Sequence, residues 1–335
     1  MRYIMAKIHG TSGSTQHLLK GTKAINGEKL ATLDEITHFH NNYETILAET
    51  ESTVQQQQDQ VIFSLGNDEV RLSNHLQDSI ARRTEEVDRN LDEINTKIKK
   101  TENVFKLLGY KVQYWIAVKL RSHRIHSSCS HITRELHTVK SRKASLITNK
   151  PYLIKNACDN VVNNQKFITE NISFLIGAQG EEVVINALSQ LSDEFHVLND
   201  VNLEFDRAIY WKEQDEYIET CQIDHIVIGP TGIFLVETKN WKTSDIETKS
   251  DKLIWQVNRS SLALWFYLKD FYRKGENPKI RKVIVSVQGS HHGQRLGKYI
   301  DVISSYQLCR YITERRNILS ENEIKKLIEI ITRRN

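Results

Sequence analysis

Three residues in the C-terminal half have the types and spacing for hydrolytic chemistry: Asp224, Glu237 and Lys239. They flank the tetrad Gly229-Pro230-Thr231-Gly232, with strand-like runs Gln222–Ile228 and Ile233–Lys239 on either side. Proline at a second turn position and a closing glycine predict a hairpin turn. With Pro230 and Thr231 as the central residues, Gly229 faces Gly232 and Asp224 stands opposite Glu237. Directly paired side chains of antiparallel strands have Cβ atoms roughly 4.5–5.5 Å apart. Lys239 lies two residues beyond Glu237 and emerges on the same face. A glycine bulge at Gly232 would slip the pairing by one and make the contact diagonal.

Two carboxylates held on stiff strands raise one another's pKa unless a cation intervenes. A hard divalent ion, Mg²⁺ or Mn²⁺, resolves the repulsion, because it prefers oxygen ligands and keeps several waters. Water bound to such an ion is a better nucleophile, and the ion neutralises charge on a phosphate oxygen. Lys239 then positions or deprotonates the attacking water, or holds a phosphate oxygen. These components suit phosphodiester hydrolysis. The bland alternative is a surface hairpin in which Glu237 and Lys239 form an ordinary ion pair.

Four segments together, Gly177-x-x-Gly180-Glu181, Gln222-Ile223-Asp224-His225, Gly232-Ile233-Phe234 and Glu237-Thr238-Lys239-Asn240, resemble the nuclease-related domain family, NERD. That family belongs to the PD-(D/E)XK nuclease superfamily, the fold of many restriction enzymes. The resemblance covers about residues 174–290. It implies a restriction-endonuclease-like α/β domain with a central mixed sheet of αβββαβ order. It also implies that Asp224 and Glu237 bind metal, that Lys239 is the catalytic lysine, and that Glu181 is a further acidic member, direct or through water. Gln222 is read on the same strand face as Asp224, where it would help orient the site. The sequence departs from the family pattern in three places. Trp241-Lys242-Thr243-Ser244 stands where a glycine commonly follows the Glu-x-Lys strand. Trp255-Gln256-Val257-Asn258 stands near the usual Asn-Pro-x-x-Gln without the proline. The polar insertion 206–220, read as a long hairpin, is longer than the family pattern.

The elements around these residues follow from periodicity and breakers. Helix is expected near Gly180–Leu191 and Leu253–Phe271, strand at Glu194–Phe205, Lys282–Val287 and Asp301–Ser304, and terminal helices at Tyr306–Thr313 and Glu321–Ile331. The first 150 residues hold no proline, and between Glu28 and Leu108 the only glycine is Gly66. Such stretches allow long helices. Divided at Gly66 and Gly109, they give helices over 28–65, 67–108 and 110–149, each about 57 to 63 Å long at the α-helical rise. Ile80, Val87 and Ile94 interleave with Leu91, Ile98 and Phe105 in a heptad seam. A connecting helix over 151–173 is expected to carry Pro151 in its first turn. The expected organisation is therefore an N-terminal segment 1–27, a coiled-coil-like helical region 28–150, the connecting helix, and the nuclease-like domain 174–335.

Charge is uneven along the chain. The formal net charge is only +4, so the sum names no partner. Residues 111–150, however, hold nine Lys/Arg and one acid, whereas 30–70 hold eight acids and no Lys or Arg. Mutual pairing of the two segments and phosphate binding by the basic one are both open; pairing is the preferred reading. The four cysteines lie too far apart for a metal clip or a disulfide scaffold. The cluster His123, His126, Cys129 and His131 does not converge on one helix face, so a solvated or interhelical face is expected there. Gly10-Thr11-Ser12-Gly13-Ser14-Thr15 lacks the lysine and preceding buried strand of a phosphate loop. Gly289–Arg295 reads as a surface loop. No signal-peptide core or apolar run of ~20 residues is present, so a cytoplasmic, non-membrane protein is expected. The functional expectation is a metal-dependent nuclease, with DNA as substrate, the helical region serving homo-oligomerisation or partner sensing, and a role in bacterial nucleic-acid defence. The alternative is an inactive nucleic-acid-binding protein or a coiled-coil assembly or sensor protein.

Overall fold

The computed structural model describes residues 5–25, 27–240, 249–272, 277–289 and 294–333. The chain divides into two compact units: residues 1–43 with 163–335, and residues 44–162 between them. The helical unit is thus inserted into the sequence of the sheet-bearing one.

Among the described residues the sheet-bearing unit holds seven strands: β1 (Lys7–His9), β2 (His196–Trp211), β3 (Glu216–Gly229), β4 (Gly232–Lys239), β5 (Ile280–Ser286), β6 (Gln294–Leu296) and β7 (Ile300–Ser304). They form one mixed sheet in the order β1-β2-β3-β4-β5-β7-β6. Strand β4 is central, antiparallel to β3 and parallel to β5. Its first seven residues are all buried, which is why its sequence reads as a nearly continuous apolar run. Helices α1 (Gly13–Gly21), α2 (Leu33–Asn41), α7 (Ile172–Leu188), α8 (Ser250–Leu268), α9 (Leu308–Thr313) and α10 (Glu321–Thr332) accompany the sheet. One face packs Leu203, Ile223, Ile226 and Leu235 against Leu253, Val257 and Leu264 of α8 and Leu327 of α10. The other packs Val197, Val227, Phe234 and Val283 against Val184 and Leu188 of α7 and Leu308 of α9.

Several sequence expectations are corrected here. Helix α7 begins at Ile172, so Gly177 and Gly180 lie inside it instead of preceding it. The insertion 206–220, by contrast, forms the long hairpin expected of it, extending β2 and β3 with a register shift between Glu204 and Ile209. Strands β1 and β6 were not expected. The segment Gly10–Thr15 is a helix start: Ser12 Oγ accepts from Thr15 N at 3.1 Å. Trp241–Ser244 lies outside the described residues, and of Gly289–Arg295 only the ends are described, with Gln294 and Arg295 opening β6.

The helical unit is built from α3 (Tyr43–Lys100), α4 (Val104–Lys119), α5 (Arg121–Ser128) and α6 (Ser130–Glu170). Gly66 does not divide a helix, because α3 runs through it. A single interior glycine costs about 1 kcal/mol, little against a helix of that length. Pro151 does not open a helix either; it lies inside α6. The break falls instead at 101–103, where Asn103 Oδ1 accepts from the Phe105 and Lys106 amides and starts α4. The heptad seam therefore ends with α3. Ile80, Val87, Leu91, Ile94 and Ile98 are half-buried, whereas Phe105 is 90% exposed. Acidic and basic segments meet within this unit: Lys143 reaches Glu69 at 3.0 Å, Lys140 the same carboxylate at 3.9 Å, and Lys150 reaches Asp59 at 2.6 Å. No helix among the described residues is long and apolar enough to cross a membrane.

Candidate active site

The turn at 229–232 fixes the positions of the acids. Gly229 pairs with Gly232, and the ladder runs to His225 opposite Val236, which places Asp224 opposite Glu237 without a slip. Gly232 takes the positive φ of 127° that the turn requires. Beyond this point the strands separate, and the hairpin end opens into a cavity of about 340 Å³ lined by Gly177, Glu181, Asp224, Glu237, Lys239 and Gln256, among others.

Glu237 is 1% exposed. Its Oε1 accepts from Lys239 Nζ at 2.7 Å and from Gln256 Nε2 at 2.5 Å. Burial, then the neighbouring Asp224 carboxylate, pushes the Glu237 carboxyl up to about 8, against the pull of Lys239. Burial also raises Asp224, while Lys239 and the Thr238 amide hold it down. Burial would lower Lys239, but Glu237, Asp224 and Glu181 outweigh it and keep the ammonium above its ordinary value. Glu181 rises with burial and the Asp224 charge; Ser14 Oγ donates to its Oε1 at 2.6 Å and opposes the shift. Three acidic groups thus share the cavity with one lysine.

Behind Asp224 lies a chain of hydrogen bonds. Thr238 N donates to Asp224 Oδ2 at 2.9 Å. His225, fully buried, lies 3.0 Å from Thr238 Oγ1 through Nε2 and 2.8 Å from Asn199 Oδ1 through Nδ1. Asn199 Nδ2 donates to Gly10 O at 3.2 Å, so its Oδ1 is free to accept from His225 Nδ1–H. We assign the Nδ1–H tautomer on that ground, with Thr238 donating its hydroxyl proton to Nε2. Burial lowers His225 to about 4, so the ring is neutral.

The four acid and lysine positions expected from sequence, Glu181, Asp224, Glu237 and Lys239, line this one cavity. Gln222 does not join them. It is exposed, and its amide donates to Asp200 Oδ1. The reason is local: Leu198 and Val201 on β2, and Ile223 and Ile226 on β3, fall in the same core although each pair is three residues apart. Face alternation therefore flips at Asp200, which adopts a positive φ of 52°. Gln256 and Ser14 are participants the sequence reading did not assign. Gln256 was visible as the glutamine near the expected Asn-Pro-x-x-Gln position. Ser14 carried no signal, since its contact joins residues 167 apart.

The donor set fits a hard divalent ion through Asp224 and Glu237. Among the described residues no three His, Cys, Asp or Glu side chains are grouped so as to hold a metal. A two-carboxylate site completed by water is the habit of Mg²⁺. The cluster at His123–His131 forms no such group either.

The glycines of the Gly-x-x-Gly-Glu segment explain how close these parts come. A Cβ on Gly180 would stand 3.0 Å from Asn240 Cβ and 3.6 Å from Thr238 Cγ2. Its absence lets α7 press against the end of β4, where Asn240 Nδ2 donates to Ile176 O at 2.9 Å.

Residues 176–287 match the family described as nuclease-related domain, NERD, which stands in the PD-(D/E)XK-like nuclease superfamily. A stretch of 67 residues, 20% of this chain, is 43% identical to an uncharacterised protein of Bacillus anthracis. The match spans 27% of that relative's length. No solved structure matches the chain.

Proposed function

We propose that the sheet-bearing unit is a divalent-metal-dependent nuclease that hydrolyses nucleic-acid phosphodiester bonds, with DNA as its substrate. The observation that carries this reading is the convergence of Asp224, Glu237 and Lys239 at the open end of one hairpin, with Glu181 and Gln256 on the cavity wall. Asp224 and Glu237 hold the ion. When bound, the ion activates water and neutralises charge on a phosphate oxygen. Gln256 and Lys239 fix the Glu237 carboxylate from one side. Lys239, which lines the same cavity, would meet the attacking water or a phosphate oxygen. The Thr238 amide holds Asp224, so its carboxylate is oriented before substrate arrives.

The test is incubation of purified protein with plasmid, linear and single-stranded DNA and with RNA, in Mg²⁺, Mn²⁺ or EDTA. Cleavage of DNA with a metal and none with EDTA is expected. Binding without cleavage under every metal condition would favour the inactive nucleic-acid-binding alternative.

For the helical unit we propose self-association. Phe105, Leu108, Val112 and Trp115 of α4 are 90%, 66%, 51% and 57% exposed at helical spacing. An uncovered apolar stripe of that length favours a partner surface. The half-buried seam on α3 supplies a second such surface, and a second copy of the chain carries both.

A further inference from the structure

We propose that the N-terminal segment Lys7–Gly21 completes the nuclease site, and that Ser14 is a positioning residue for Glu181. This deepens the nuclease reading and rests on it. The segment lies wholly outside the stretch that matches the nuclease-related family, residues 176–287.

Three contacts carry the argument. Strand β1 adds a parallel edge to β2, with Lys7 opposite His196 and His9 opposite Leu198. The chain then delivers Gly10, whose carbonyl accepts from Asn199 Nδ2 at 3.2 Å, the far end of the hydrogen-bond chain that runs through His225 and Thr238 to Asp224. Helix α1 follows, and Ser14 donates to Glu181 Oε1 at 2.6 Å. One short segment therefore touches Glu181 directly and Asp224 through the hydrogen-bond chain.

The sequence of α7 is shaped to receive it. Gly177 lies one helical turn before Glu181. A Cβ there would stand 3.3 Å from Ser14 Oγ and 3.9 Å from Glu181 Oε1. The glycine leaves room for the serine hydroxyl to approach the carboxylate. On the other side of the segment, a Cβ on Gly13 would collide with the Asp200 carboxylate and the Gln222 amide. The exposed Gln222–Asp200 pair is thus the surface on which the start of α1 seats.

The chemical consequence is orientation. A carboxylate on a helix surface samples several rotamers, whereas one held by a hydroxyl at 2.6 Å is confined. Glu181 then meets the ion through one of the waters that complete the Asp224–Glu237 site, and supporting hydrogen bonds around a metal are worth about 10–100-fold in metal affinity or activity. Ser14 touches neither substrate nor metal, so its contribution passes through Glu181.

The test compares full-length wild type with Ser14→Ala, Ser14→Thr and Gly177→Ala. Four quantities are read: kcat and KM on the DNA substrate, Mn²⁺ affinity by calorimetry without DNA, and thermal midpoint. Ser14→Ala is expected to lower kcat about tenfold or more with KM for DNA unchanged, and to weaken Mn²⁺ binding by a similar factor. Its thermal midpoint should stay within a few degrees of wild type. Ser14→Thr, which keeps the hydroxyl, should recover most of both losses. Gly177→Ala should reproduce the Ser14→Ala profile, and the double variant should be no worse than either. Unchanged kcat and Mn²⁺ affinity in Ser14→Ala, with wild type active, would overturn the assignment of Ser14 alone. Losses that track a fall in thermal midpoint and are not recovered by threonine would also overturn it. A wild type that neither cleaves nor binds Mn²⁺ would overturn the nuclease reading and this inference with it.

Discussion

The backbone N–H of Thr238 donates to Asp224 Oδ2 at 2.9 Å, while the Thr238 hydroxyl is spent on His225 on the other side of the strand. One residue thus serves two faces of β4 with two different atoms. Thr238→Val keeps the amide and removes the hydroxyl, leaving His225 Nε2 buried without its donor. An unmet buried acceptor costs about 1–3 kcal/mol. A stability loss of that size is expected in urea unfolding, with cleavage at a permissive temperature within about tenfold of wild type because Asp224 remains held. A loss of all activity in a folded Thr238→Val protein would contradict this division of labour.

Asp224→Ala, Glu237→Ala and Lys239→Ala are each expected to lower cleavage about 10²–10³-fold or more. They should differ in metal binding. Removing either carboxylate removes a ligand and should weaken Mn²⁺ binding severely, while Lys239→Ala should retain most of it. Calorimetry separates the two classes. A Glu237→Ala protein that folds and cuts like wild type would show that the site lies elsewhere.

The pH response of the metal-free fold follows from opposite shifts in two buried groups. Glu237 keeps its proton up to about pH 8 in the fold, against ~4.3 in an unfolded chain. The folded state therefore binds more protons in that window, and stability falls as pH rises through it. His225 stays neutral down to about pH 4, against ~6.5 unfolded. Its contribution falls as pH drops from 6.5 towards 4. The two oppose one another below pH ~6.5, and only Glu237 acts above it. The urea midpoint of EDTA-treated protein should decline from pH 6.5 to 8 and then level. Saturating Mg²⁺ or the substitution Glu237→Gln should each remove the decline. A decline that persists in Glu237→Gln would assign it to another group.

In the helical unit, Lys140 and Lys143 share Glu69, and Lys150 meets Asp59. Exposed pairs contribute only ~0–1 kcal/mol each. Changing Arg134, Lys140, Arg142 and Lys143 to Gln should therefore lower stability or oligomer strength slightly and leave the salt dependence of DNA affinity unchanged. A flattened salt slope would mean that this helix contacts phosphate.

Leu108→Glu and Trp115→Glu, placed on the exposed stripe of α4, should shift light-scattering mass towards the monomer if that stripe joins two chains. A monomeric mass for wild type at micromolar concentration would eliminate self-association.

The cavity acids were legible because a hairpin register is local: a Pro-containing turn and strict counting place Asp224 opposite Glu237, and Gly229 does pair with Gly232. Helix ends in the first half were read from the wrong residues. Gly66 is absorbed by a long helix, and a Cβ there would meet Lys143 Nζ at an ordinary 3.5 Å, so the glycine marks neither a break nor a tight approach. Asn103, an unremarkable polar residue by pattern, makes the actual cap. Gln222 was misassigned because strand alternation was assumed to continue through Asp224, whereas a positive φ at Asp200 on the neighbouring strand interrupts it. Ser14 and Gly10 were out of reach of any local rule, since their partners lie far along the chain.

That distance has a consequence in time. His9 and His196 stack in the sheet although 187 residues separate them. At synthesis rates of ~5–20 residues per second, the first strand waits about 10–40 s for its partner to be made. Throughout that interval the helical insert has emerged, but the segment bearing Ser14 has nothing to dock on. The segment bearing Ser14 therefore stays undocked until most of the chain has left the ribosome, and a product truncated before β3 would lack Asp224, Glu237 and Lys239 altogether.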